Sequence, residues 1–122
     1  MKLEPFLYVT NLRDSMEFYH EILDFDLGEM YPDEYNPIFV TMVIDGRKLM
    51  LQEVEVELPS FHKHGVCGSG IQLFFEVPNV DQTYERLRQS AQVVDQIAAR
   101  PWGRTFSITD PDGYIISFYC SS

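Results

Sequence analysis

One pattern occurs twice in this chain, displaced by 68 residues. Glu4, Phe6, Val9, Asn11 and Leu12, followed by Met16, Tyr19 and Leu23, line up with Gln72, Phe74, Val77, Asn79 and Val80, followed by Tyr84, Leu87 and Ala91. Each copy predicts a strand, an Asn that opens a helix, and a helix with apolar positions at steps of four, three and four. A half-module of this kind cannot bury a sheet face alone. The two copies are therefore expected to share one curved sheet with helices outside it, and such a sheet encloses a concavity.

At 122 residues and 14.2 kDa the chain is expected to be one domain, residues 1–122, able to bury roughly two-thirds of its unfolded surface. Its core needs no disulfides. Cys67 and Cys120 form neither a dense framework nor a zinc-like spacing, so reduced thiols and a cytoplasmic location are expected. No apolar run approaches the ~20 residues of a membrane span, and the start Met1 to Pro5 lacks the apolar stretch of a signal peptide. Nineteen acidic against nine basic residues give a net charge of −10, which repels phosphate backbones and anionic membranes and excludes both as expected partners. Acidity keeps a protein soluble and also gathers cations. Two clusters invite the second reading, Asp24 to Glu34 and Glu53 to Glu57, though neither by itself marks a site.

Along the chain, residues 4 to 10 read as a strand with Glu4, Phe6 and Tyr8 on one face and Leu7 and Val9 on the other. Leu12, Met16, Tyr19 and Leu23 predict a helical stripe. A short strand around Leu27 and Met30 precedes a buried strand from Ile38 to Ile44, which Asp45-Gly46 turns into a hairpin with Lys48 to Glu53. The pattern breaks over residues 55–69, with Pro59, Gly65 and Gly68, giving the linker between repeat one (1–54) and repeat two (70–122). In the second copy a strand from Gly70 to Val77 leads to Asn79, whose partner three residues on is Gln82, a variant capping box. A short strand near Val93 and Val94 and another from Trp102 to Thr109 follow. Asp110-Pro111-Asp112-Gly113 makes a tight turn, and Tyr114 to Cys120 closes the sheet. The predicted class is α+β, two βαβββ repeats in a curved, mostly antiparallel mixed sheet.

Strand-helix-three-strand repeats that end in Asp110-Pro-Asp-Gly-Tyr114, preceded by Trp102-Gly103 and Phe106, resemble the vicinal oxygen chelate superfamily. That superfamily includes glyoxalase I, extradiol dioxygenases and bleomycin resistance proteins. Val9 to Leu12 with Ser15, Phe18 and Tyr19, then Leu23 to Phe25 and Ile71 to Val77, extend the similarity over nearly the whole chain. In metal-using members a divalent ion sits in the concave sheet, held by the first and last strand of each repeat. The resemblance maps those positions to Glu4, Gln72 and Ser117, with the fourth at Met50 by turn spacing or Gln52 by local pattern. One carboxylate, at most two amides and no imidazole make a poor shell for a transition metal, so no metal and no cofactor are expected. A hard ion could still use Glu4 with amide oxygens and water.

His20 lies one residue beyond the buried stripe and is expected at the surface. His62 and His64 form a His-x-His in the linker with no third ligand near in sequence. The inward positions are otherwise rich in rings: Phe6, Tyr8, Phe74, Tyr119 and Trp102, with Phe39 possible. Such rings suit a planar organic ligand and equally well fill a core. Trp102 directly precedes Gly103, whose lack of a side chain is expected to leave room beside it. Arg104 either pairs with the Asp110 to Asp112 turn or reaches a ligand.

Bleomycin resistance proteins share these motifs, are acidic, lack the metal shell and sequester a cationic drug between two subunits. The resemblance thus implies a small-molecule-binding homodimer. The candidate ligand set is Glu4, Phe6, Tyr8, Met50, Gln52, Gln72, Phe74, Glu76, Trp102, Arg104, Ser117 and Tyr119. The alternative is a lyase, isomerase or dioxygenase of the same superfamily, either metal-assisted or metal-free with Glu4 as catalytic base.

Overall fold

The computed structural model describes residues 1–54 and 67–121. Most of the expected linker, with His62 and His64, lies outside the described residues. The elements run β1 (Phe6–Val9), α1 (Leu12–Glu17), β2 (Asp26–Tyr31), β3 (Phe39–Ile44), β4 (Arg47–Glu53), β5 (Gln72–Glu76), α2 (Val80–Leu87), β6 (Gln92–Arg100), β7 (Gly103–Thr109) and β8 (Ile115–Cys120). The doubled βαβββ order and the α+β class are both present. The strands pair as two four-stranded mixed sheets, β1-β4-β3-β2 and β5-β8-β7-β6, one in each of the compact units Met1–Cys67 and Gly68–Ser122. In each sheet the first strand of the repeat lies parallel to the last, and the remaining pairs are antiparallel.

The helix starts show why the repeat is visible in sequence. The Oδ1 of Asn11 accepts from the Asp14 N–H at 3.0 Å, and that of Asn79 accepts from the Gln82 N–H at 3.1 Å, both from extended backbone. Each side chain satisfies one of the donors that the first turn leaves without an intrahelical partner. In unit 1 the Glu53 carboxylate adds a second cap, accepting from the Leu12 N–H at 3.0 Å. A residue of the second acidic cluster therefore serves the fold.

Three of the four residues of the expected stripe on the first helix, Leu12, Tyr19 and Leu23, are buried. A π turn over Phe18–Ile22 follows α1, with the Leu23 N–H reaching back five residues to the Phe18 carbonyl. Ser15 and Phe18 are buried together with Leu12, Tyr19 and Leu23, while Met16 is only half-buried. In unit 2, Val80 and Leu87 are buried on α2, and Ala91 lies past its end.

Each helix covers one face of its own sheet. In unit 1 that face carries Leu7, Val9, Val40, Met42, Leu49 and Leu51, all buried. In unit 2 it carries Ile108, Ile116 and a stack of rings, with Phe106 5.1 Å from Phe118 and Phe118 5.6 Å from Phe75. Tyr84 of α2 closes edge-on upon Phe106 at 5.3 Å. The alternation read along residues 6 to 9 holds, with Leu7 and Val9 under the helix and Phe6 and Tyr8 on the opposite face. The strand itself begins at Phe6 rather than Glu4.

The hairpin at Asp45-Gly46 has positive φ at both residues, 49° and 75°, the geometry that two-residue turns between twisted strands prefer. β6 is longer than the Val93-Val94 strand expected. Its pairing with β7 is interrupted twice, which breaks the alternation by which an edge strand is recognised. No helix among the described residues is long and apolar enough to cross a membrane. Replacing Asn11 or Asn79 by Ala is expected to cost about 1 kcal/mol each, read as a lower urea midpoint at unchanged slope. An unmoved midpoint would show that the caps are not needed.

Candidate functional site

Within each unit the face opposite the helix is only partly covered. In unit 1 it is built from three strands whose registers align Phe6 with Met50 and Met50 with Thr41, then Tyr8 with Gln52 and Gln52 with Phe39. The Phe6 ring meets Tyr8 edge-on at 5.3 Å and lies 6.1 Å from Phe39, yet it remains 40% exposed. Glu4 precedes β1 and is half-buried; the Met50 N–H bond to the Pro5 carbonyl, 3.0 Å, carries the parallel ladder up to its neighbour.

In unit 2 the equivalent face aligns Phe74 with Ser117 and Ser117 with Ser107, then Glu76 with Tyr119 and Tyr119 with Thr105. Phe74 is 55% exposed and meets Tyr119 at 6.3 Å in an edge arrangement. Gln72 donates from Nε2 to Ser117 Oγ at 2.8 Å, and Ser117 Oγ lies 2.6 Å from Ser107 Oγ. Sequence reasoning missed Ser107. The alternation Thr105, Ser107, Thr109 against Phe106, Ile108 was its signal, since it puts hydroxyls on one face of β7 and apolar side chains on the other.

These registers settle the doubtful position. Phe6 and Phe74 are repeat equivalents, and each pairs with its last strand at Met50 and Ser117 respectively, so Met50 is the counterpart of Ser117 and Gln52 that of Tyr119. At these positions unit 1 carries Glu4 and a thioether, and unit 2 carries an amide that donates to a hydroxyl. A thioether is soft and weakly donating, a neutral serine is a poor ligand, and imidazole and thiolate are absent from the set. Those donors do not fit zinc, iron or nickel. Among the described residues, no group of three or more His, Cys, Asp or Glu side chains is placed to hold a metal ion.

Arg104 has a partner that the sequence reading did not name. It shares the face of β7 that carries Phe106 and Ile108, and its guanidinium pairs with Asp81 in the first turn of α2 at 2.9 Å. It therefore lies on the helix side, away from Thr105, Ser107 and the other open-face residues. The Asp110 turn closes without it: Asp110 Oδ1 accepts from the N–H groups of Asp112 and Tyr114, both at 2.9 Å. The glycine after Trp102 also has a different reason. Gly103 has φ 141°, and a Cβ there would overlap the Cys120 carbonyl oxygen, so the glycine lets β7 approach β8. Trp102 sits in the turn before β7, 57% exposed.

His20 is exposed, with Nδ1 2.7 Å from the Phe25 carbonyl, a contact in which Nδ1 carries the proton. Cys67 and Cys120 are half-buried and are not joined in a disulfide.

A βαβββ duplication whose open faces carry rings and small polar groups defines a class of two-repeat α+β proteins. The chain belongs to one family of it: the model of the Glyoxalase/Bleomycin resistance protein/Dioxygenase superfamily matches residues 3–118. No curated protein matches the chain. Among solved structures it is similar to TnmS3, described as an antibiotic binding protein from Streptomyces sp. CB03234. The identity is 24%, the TM-score 0.72, and 100% of this chain and 98% of that one are covered. TioX from Micromonospora sp. ML1 superposes with a TM-score of 0.81 at 17% identity, covering 100% and 99%. A glyoxalase/bleomycin resistance protein from Streptomyces sp. CB03234 is 25% identical with a TM-score of 0.67, covering 97% and 99%.

The contrast between faces predicts a contrast in stability. Phe106→Ala, in the ring stack, is expected to cost about 3–5 kcal/mol in urea unfolding, and Phe74→Ala, largely in water, less than about 1 kcal/mol. Equal costs would mean that Phe74 is a core residue.

Proposed function

We propose that the protein binds and sequesters a planar or cationic organic ligand, without metal, against the rings of its open faces. The observation that carries this reading is Phe74, a large apolar ring held 55% exposed on a sheet face beside Tyr119. An ordered ring left in water forgoes burial worth about 1.5–3 kcal/mol, which a ligand that stacks on it recovers. Phe6, Tyr8 and Phe39 form a comparable cluster in unit 1. The net charge of −10 draws cations toward either face and repels anions. The antibiotic-binding neighbour TnmS3 has the same fold, which supports sequestration of an antibiotic and a part in resistance. Glu4, Gln52, Glu76 and Trp102 complete the proposed contacts. We further propose that the chain acts as a homodimer in the cytoplasm.

Calorimetric titration with bleomycin and other planar cations tests the reading. Binding is expected for at least one, with Phe74→Ala and Trp102→Ala each weakening it by about tenfold, the scale of an aromatic anchor. Failure of every such ligand to bind at millimolar concentration would sink it. Metal analysis of protein purified without a histidine tag is expected to find substoichiometric metal. A full equivalent of zinc, iron or nickel that is lost in Glu4→Ala would favour a metal-dependent enzyme instead. Sedimentation equilibrium should give twice the 14.2 kDa chain mass.

A further inference from the structure

The pairing of β6 with β7 is irregular on both sides of one residue, Asp95, and the irregularity decides which way that residue points. Val93 pairs with Ile108, so an unbroken ladder would set Val94 opposite Ser107 and Asp95 opposite Phe106, under α2. The extra residue in β6 sets Asp95 opposite Ser107 instead, on the open face. The next residue agrees: the amide oxygen of Gln96 accepts from the Tyr84 hydroxyl of α2 and so lies on the helix side. Asp95 is exposed.

A second carboxylate stands on the far edge of the same face. Glu76, exposed at the end of β5, aligns with Tyr119, which aligns with Thr105. In the order β5-β8-β7-β6 the two acids occupy opposite edges, and three strand spacings put their backbones roughly 14 Å apart across the strands. Between them the middle strands offer short side chains, Ser117, Ser107 and Thr105, beside the rings of Phe74 and Tyr119. Among the described residues neither carboxylate has a hydrogen bond or ion pair, while Arg88 and Arg104 pair with Glu85 and Asp81 of α2. The fold does not require an acid at the β5 edge, since Tyr8 takes the place of Glu76 in unit 1.

From this placement we infer that the open face of unit 2 takes a dication: an elongated planar ligand with a positive group at each end, one held by Glu76 and the other by Asp95, its flat centre lying over the middle strands beside Phe74 and Tyr119. The inference rests on the binding reading given above and adds to it the number and spacing of the ligand's charges. A ligand with a single charge meets one carboxylate at a time and, turned end for end, meets the other, so loss of one acid costs it no more than a factor of about two. A dication uses both at once.

Fluorescence titration with two phenylindoles tests this: the diamidine DAPI, charged at both ends of its flat core, and the same core with a single amidine. Wild-type protein is expected to bind the diamidine about fivefold more tightly, the scale of one more exposed ion pair. Glu76→Gln and Asp95→Asn should each weaken the diamidine about fivefold and the monoamidine no more than about twofold, and added salt should narrow the gap between the probes. Glu85→Gln removes the same charge from the helix side of the unit and should leave both probes unchanged. Thermal unfolding of each variant confirms that it is folded. If Glu76→Gln or Asp95→Asn leaves the diamidine at wild-type affinity, the two-charge arrangement is overturned, and the stacking reading stands as long as Phe74→Ala weakens the probe. An equal loss in Glu85→Gln would reduce the effect to the overall charge of −10 and overturn the arrangement likewise. If neither phenylindole binds while bleomycin does, the arrangement again falls alone. If no planar cation binds at millimolar concentration, both readings fall together.

Discussion

In each repeat the parallel pairing of the first strand with the last is the contact on which the rest depends. β1 lies against β4 and β5 against β8, joining segments more than forty residues apart in sequence, and each pairing fixes which side chains share a face. Because successive residues alternate across a strand, a slip of one position would send Phe6 and Phe74 under the helix and Leu7 and Leu73 into solvent. The helix caps and the buried rings act in the same direction. Val9, Leu51 and Leu12 are each buried, and the register that aligns Glu53 with Val9 lets its carboxylate reach the Leu12 N–H.

With the registers set, the two open faces carry different chemistry on the same frame. Unit 1 offers rings, a thioether and the Gln52 amide. Unit 2 offers rings, the Glu76 carboxylate and a buried hydroxyl pair. The scaffold tolerates both because only the helix-side face must be apolar and close-packed. The opposite face is free to vary, and function in such a fold resides in those substitutions.

Several features were legible because they depend on neighbouring residues alone. Asn11 and Asn79 cap helices by bonding three residues ahead, Asp45-Gly46 turns a hairpin through its own φ angles, and Asp110 closes its turn by accepting from Asp112 and Tyr114. Others were hidden. The π turn after α1 keeps its bonds local, but a template that assumes a constant period does not show it. β6 was underestimated because its irregular pairing leaves no alternation to read. The partner of Arg104 was missed because Asp81 lies 23 residues away on a helix whose packing against β7 no local pattern encodes.

By itself the sequence determined the duplication, the order of elements, the helix starts and turns, and the residue types at Glu4, Gln72 and Ser117. Those properties depend on residue identity and short-range geometry. Only the tertiary structure decided that Met50 rather than Gln52 is the counterpart of Ser117, that Ser107 completes a hydroxyl pair under Gln72, that Gly103 makes way for a carbonyl, and that Arg104 faces the helix. Each of these is a relation between segments distant in sequence. Strand pairing chooses such relations by burying one face as a whole, an energy that no short stretch of residues carries.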